Sequence, residues 1–145
     1  MARIIDATAD LFARIPHALI GLMGRLSMAW LFWSDGRARV GGSWNILDPR
    51  PGTMAMFRGG YDISYVPAGL AATAVQAAEH LLPVLLALGL ASRFAALGLV
   101  VLIIVFEVFV HPGPYAIHGD WGAVLLMIIK YGPGSISLDE ALGRR

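Results

Sequence analysis

The stretch from Glu79 to His111, EHLLPVLLALGLASRFAALGLVVLIIVFEVFVH, limits what this chain can become. Two apolar runs meet at the joint Ala91-Ser92-Arg93, and each run carries one carboxylate, Glu79 and Glu107. A carboxylate at the centre of a bilayer helix costs about 2.5–3.5 kcal/mol on insertion scales. The nine Leu and Val residues between Ala68 and Leu90 return only about 0.3–0.6 kcal/mol each. That sum roughly cancels one Glu and leaves little for Gln76 and His80. These acids therefore need partners, a chemical role, or both.

The whole chain supports a membrane setting. It is 57% apolar and 14% charged, whereas soluble domains carry about 25% charged residues. Its 145 residues suit a single domain. A net charge of +1 gives no basic patch for nucleic acid. The absence of cysteine excludes disulfides, thiolate metal sites and thiol-relay chemistry. No signal-peptide core is expected, because Asp6, Asp10 and Arg25 break up the first apolar stretch.

The expected fold class is all-α, an integral membrane four-helix bundle with a long first extramembrane loop. Residues 3–15 read as an interfacial helix, with Ile4, Leu11, Phe12 and Ile15 on one face. Transmembrane spans are expected at about 16–34, 68–90, 94–110 and 115–131. Between the first two spans, Asp35 to Pro67 is rich in Gly and Pro and carries Trp44, Phe57, Tyr61 and Tyr65. It reads as a cap on one end of the bundle, with Thr53 capping a helical turn at Met54–Phe57. Pro83 lies one turn after Glu79 and leaves that residue's carbonyl without its helical donor.

Four spans bring the N-terminus, the Ser92-Arg93 joint and the tail to one side. Arg3, Arg14, Arg93, Lys130, Arg144 and Arg145 fall there, against Arg37, Arg39, Arg50 and Arg58 on the other. The positive-inside rule then puts both termini in the cytoplasm, and an inner-membrane location is expected. Helical rise of about 1.5 Å per residue sets Arg25 near the level of Glu79 and predicts a buried ion pair between them.

Glu107 and His111 are spaced i,i+4 and share one face of a regular α-helix. His118, Asp120 and Trp121 follow across a short turn. Carboxylate, imidazole and indole at one mouth suit a pocket for the head group of a quinone or similar amphiphile. Its binding candidates are His111, His118, Asp120, Trp121 and Glu79; Glu107 and His111 are the acid–base candidates. The plainer alternative is interfacial histidines wetting a loop. No metal is expected, since HExxH and paired Glu-x-x-His motifs are absent. No catalytic motif assigns an enzymatic activity.

Arg25, Glu79 followed by LLPVLLALGL and Ser92-Arg93, His111-Pro112, and Gly132-Pro133-Gly134 leading to Ser137-Leu138-Asp139 together resemble the DoxX family. The resemblance runs from about residue 20 onward and implies a four-helix membrane bundle. It links the chain to quinone-coupled redox complexes and oxidative-stress assemblies, with a membrane redox protein as partner. The long first loop and Asp35-Gly36-Arg37, where the family commonly has Gly then Lys, depart from the pattern. The alternative function is a non-catalytic membrane scaffold whose buried charges specify helix packing.

Overall fold

The computed structural model describes residues 6, 10–42, 45–59, 66–110 and 115–143, with Val110 as backbone only. Among these the fold is all-helical, and its one bridge pairs Val40 with Pro49. Helices α1 (His17–Arg39), α3 (Ala68–Leu88), α4 (Ser92–Val105) and α5 (Tyr115–Tyr131) are long; α2 (Pro51–Gly59) and α6 (Leu138–Ala141) are short. A π-helical segment, Phe106–Val110, continues α4. α1 packs on α3 and α5, α4 packs on both α3 and α5, and α2 lies on α3.

Two helices, Ala68–Leu88 and Ser92–Phe109, are long and apolar enough to cross a membrane. Their outward faces carry Leu70, Leu81, Phe94, Leu97, Val101 and Ile104, all at least half exposed. So much contiguous apolar surface is rare on a water-soluble monomer. Residues 10–13 are helical with Leu11 and Phe12 exposed; Arg3 and Ile4 of the expected interfacial helix lie outside the described residues.

α1 runs to Arg39, five residues beyond the expected end of the first span. Gly36 lies within this added length. It is buried against α3, where an added Cβ would lie 3.0 Å from His80 Cε1 and 3.1 Å from Glu79 Cβ. The missing side chain lets the two helices close, and Arg37 and Arg39 place positive charge on the last turn, which suits the helix dipole.

The following segment returns at once to α1. Arg50 N donates to Arg39 O at 2.9 Å, and Gly41 N donates to Asp48 O at 3.1 Å. α2 then starts at Pro51, a residue whose fixed φ suits the first helical position. Thr53 does not cap it as expected; its hydroxyl donates to Arg39 O at 3.2 Å. Phe57 is fully buried and meets Phe106 edge-on, with ring centroids 6.3 Å apart. Trp44, Tyr61 and Tyr65 lie outside the described residues.

At the opposite end a single joint ties four segments together. α3 closes with Gly89 in the left-handed region, φ +71°. Leu90 N donates to Leu85 O and Gly89 N to Leu86 O, the paired bonds of a Schellman ending. Arg25, fully buried, donates to the α3 carbonyls of Leu86 and Ala87 at 3.4 Å, and also to Ile136 O. Asp139 supplies the opposite charge. Its carboxylate accepts from Ala91 N at 2.8 Å, Ser92 N at 2.9 Å and Ser92 Oγ at 3.0 Å. A guanidinium on the last carbonyls of one helix and a carboxylate on the first amides of the next satisfy groups that helix ends leave unpaired.

The expected Arg25–Glu79 pair is therefore corrected. Arg25 meets α3 about two turns beyond Glu79, at the carbonyls of its last turn. The rise count assumed that the inner helix ends lie flush, whereas Arg25, eight residues into α1, meets carbonyls in the last three residues of α3.

Asp139→Ala removes three accepted hydrogen bonds at a buried helix start. It is expected to cost about 2–3 kcal/mol. Ser92→Ala removes one of them and is expected to cost about 1 kcal/mol. Thermal melting of the purified chain in detergent checks this, with the exposed Ser135→Ala as control. An Asp139→Ala midpoint equal to that control would show that the cap does not hold the joint.

Candidate functional site

At the α1 C-terminal end, a cavity of about 200 Å³ opens between α1, α3, α4 and α5. Asp35 and Arg39 reach it from α1, Glu79 from α3 and His118 from α5. Its walls are the rings of Phe32, Phe106 and Trp121, with Met56 and Ile103 beside them. Phe32, Asp35 and Arg39 are spaced three and four apart, so they fall on one face of α1.

Two side-chain pairs organise the cavity. Arg39 pairs with Glu79, whose side chain is 2% exposed against 26% for Arg39. The Arg39 guanidinium lies 4.6 Å from the centroid of the Phe106 ring, within cation–π range. Its backbone carbonyl is held by Arg50 N and Thr53 Oγ1, so the α2 segment anchors the residue that neutralises Glu79. The second pair joins Glu107 to His118 through Nδ1. The His118 ring sits 5.1 Å from Trp121, and Trp121 meets Phe32 at 6.0 Å.

The Phe106–Val110 segment determines which of these side chains can meet. A π-helix closes i→i+5 bonds, and such turns recur at functional sites. Ile103 and Phe106 line the cavity, while Glu107 turns to His118 on α5 and is not part of the lining. The expected partner of Glu107 on its own helix face is His111. His111 itself lies outside the described residues.

α3 also holds buried polar atoms that the fold leaves unmatched. Gln76, Glu79 and His80 are each 2% exposed and lie on one face of the helix. His80 Nδ1 donates to Gln76 O at 2.8 Å, which makes Nε2 an acceptor in the neutral ring. Among the described residues His80 Nε2, Glu79 Oε2 and both amide atoms of Gln76 have no hydrogen-bond partner. Native proteins rarely leave such groups unmatched without a ligand, water or function to account for them.

Of the residues expected at the site, Glu79, His118 and Trp121 line one cavity. Asp120 is exposed and outside it, and Arg25 belongs to the opposite joint. Arg39, Asp35, Phe32 and Phe106 were not anticipated. The i, i+3, i+7 spacing of Phe32, Asp35 and Arg39 signals a shared face once Gly36 is read as a packing glycine. Among the described residues no group of three His, Asp or Glu side chains is placed to hold a metal ion.

The DoxX family model matches residues 20–112. The chain belongs to the DoxX family. No curated protein and no solved structure matches it. Family membership together with the two apolar helices makes it a membrane protein. The matched stretch carries the α1, α3 and α4 walls of the cavity, while His118 and Trp121 lie beyond it on α5.

The Arg39–Glu79 pair should respond asymmetrically to mutation. Arg39→Met strands a buried carboxylate and is expected to cost about 3–5 kcal/mol. Glu79→Gln leaves an arginine that still reaches solvent and Phe106, so its cost is smaller. The double variant should be milder than the sum of the singles. Denaturation in detergent measures all three, and additive costs would show that the residues are not coupled.

Proposed function

We propose that this DoxX protein is a four-span inner-membrane subunit of a quinone-coupled redox or oxidative-stress complex. In this reading, α1, α3, α4 and α5 form a four-helix membrane bundle. The Arg39–Glu79–His118 cavity receives a quinone-like head group, and the apolar tail runs between helices into lipid. The observation that carries the reading is a cavity with three aromatic walls and charged groups from three helices, where Glu79 keeps an unmatched oxygen. Ligand sites commonly combine apolar walls with a few convergent polar groups. At about 200 Å³ the space suits one ring, whereas sites for whole drug-sized ligands span roughly 300–1,000 Å³.

In this mechanism Arg39 and His118 donate hydrogen bonds to the head-group oxygens. His118, backed by Glu107, carries protons to and from them, because imidazole can both donate and accept a proton. The electrons belong to the partner protein of the complex. Both termini face the cytoplasm, as the basic residues favour.

A second reading is a non-catalytic scaffold. The internal pairing of Arg25, Asp139, Arg39 and Glu107 supports it, since each charge already has a packing role.

Titrating the detergent-solubilised chain with a short-chain ubiquinone while following tryptophan fluorescence separates the two. The first reading expects saturable quenching through Trp121, weakened about tenfold or more by His118→Ala. Linear, non-saturating quenching that is the same in the variant selects the scaffold. Topology is tested separately. Reporter fusions at Gly52 and at the C-terminus are expected to report the periplasm and the cytoplasm respectively, and a cytoplasmic signal at Gly52 reverses the orientation.

A further inference from the structure

A second and larger cavity, about 510 Å³, lies between α1 and α5 toward the Arg25–Asp139 joint. It uses none of the residues of the Arg39 site. Met23 and Met28 form one wall, and Met127 and Ile128 form the other. Gly21 and Gly24 keep the α1 side low: a Cβ at Gly24 would stand 3.4 Å from Val124 Cγ1, and one at Gly21 would stand 3.0 Å from Pro133 O. The length of the groove is thus apolar, bounded by flexible methionines that adapt to an irregular chain.

Apart from Ser27, its polar side chains gather at one end. His17 and Tyr131 line that end with ring centroids 6.0 Å apart. The Lys130 ammonium stands 5.1 Å from the Tyr131 ring centroid. Gly132, also in the lining, lies under Arg93, so that a Cβ there would be 3.4 Å from the guanidinium Nη2. Lys130 and Arg93 are exposed, and no described carboxylate forms an ion pair with either. A largely apolar furrow running along the helices and ending at two cations without a described carboxylate partner has the polarity of an anionic lipid, tail inward and phosphate outward.

We propose that this groove is a binding site for one anionic phospholipid of the surrounding bilayer. An acyl chain lies between Met23 and Met127, and the phosphate sits between Arg93 and Lys130 beside Tyr131. The arginine offers two parallel donors to phosphate oxygens, and the lysine adds a compact point charge. The site stands apart from the quinone reading, because the two cavities lie at opposite ends of α1 and share no residue.

Native mass spectrometry of the full chain, released from a neutral detergent, tests the proposal with dioleoyl phosphatidylglycerol and dioleoyl phosphatidylcholine as probes. The expected result is one retained phosphatidylglycerol per chain, bound at least about fivefold more tightly than phosphatidylcholine. Arg93→Gln and Lys130→Gln each lower phosphatidylglycerol retention by roughly fivefold, and the double variant removes the preference. Met23→Trp fills the groove from its exposed rim and abolishes retention of both lipids; Met127→Trp does the same from the other wall. Melting midpoints confirm that the variants fold. Equal retention of the two lipids overturns the proposal, as does binding that survives both tryptophan variants. A dimer that replaces the lipid adduct also overturns it, by giving the groove to a second copy.

Discussion

Charge withdrawn from water must be matched inside the protein, and in this chain that requirement shapes each end of the helix assembly. Arg25 is fully buried, and Glu79 is nearly so. An unpaired ion in such a place costs several kcal/mol, more than most single packing contacts contribute. The fold answers with two different devices. At the joint, Arg25 and Asp139 serve backbone groups that helix ends leave open. At the other end, Arg39 and Glu79 serve each other.

The joint explains why the tail after α5 is ordered. Ser137 accepts from Glu140 N and donates to Gly134 O, which shapes the turn leading into α6. Asp139 N then donates to Gly89 O at 2.8 Å, while its carboxylate caps α4. A tight hairpin between two apolar helices exposes amides and carbonyls where bulk water is scarce. A distant carboxylate and a distant guanidinium satisfy them together, so α1, the α3–α4 hairpin and the tail settle as one unit.

The cavity end follows a different logic. Its pairs are side chain to side chain, they border a void, and α2 with Phe57 closes over them. Buried polar atoms left without partners cluster on the same helix as Glu79. Among the described residues four of the five buried side-chain polar atoms without a partner lie on α3 around Glu79, and the fifth is Arg25 Nε at the joint.

The all-helical class, the apolar α3–α4 hairpin and the expectation that Glu79 needs a partner were all legible in the sequence. These follow from composition and from period along a single helix, which are local properties. The family motifs were legible too, although not the reason they occur together: Ser92 and Asp139 are in contact across 47 positions. Sequence reasoning failed wherever register between helices decided the outcome. It paired Glu79 with Arg25 by counting rise, whereas buried Gly36 sets the approach of α1 to α3 and carries Arg39 to Glu79 instead. It did not anticipate that Glu107 meets His118 across α4 and α5; His111, its expected neighbour, lies outside the described residues. Local periodicity determines which residues form helices and which faces are apolar. Only tertiary packing decides which charges meet, because inter-helix register depends on how closely two backbones approach and on one residue more or less in a turn.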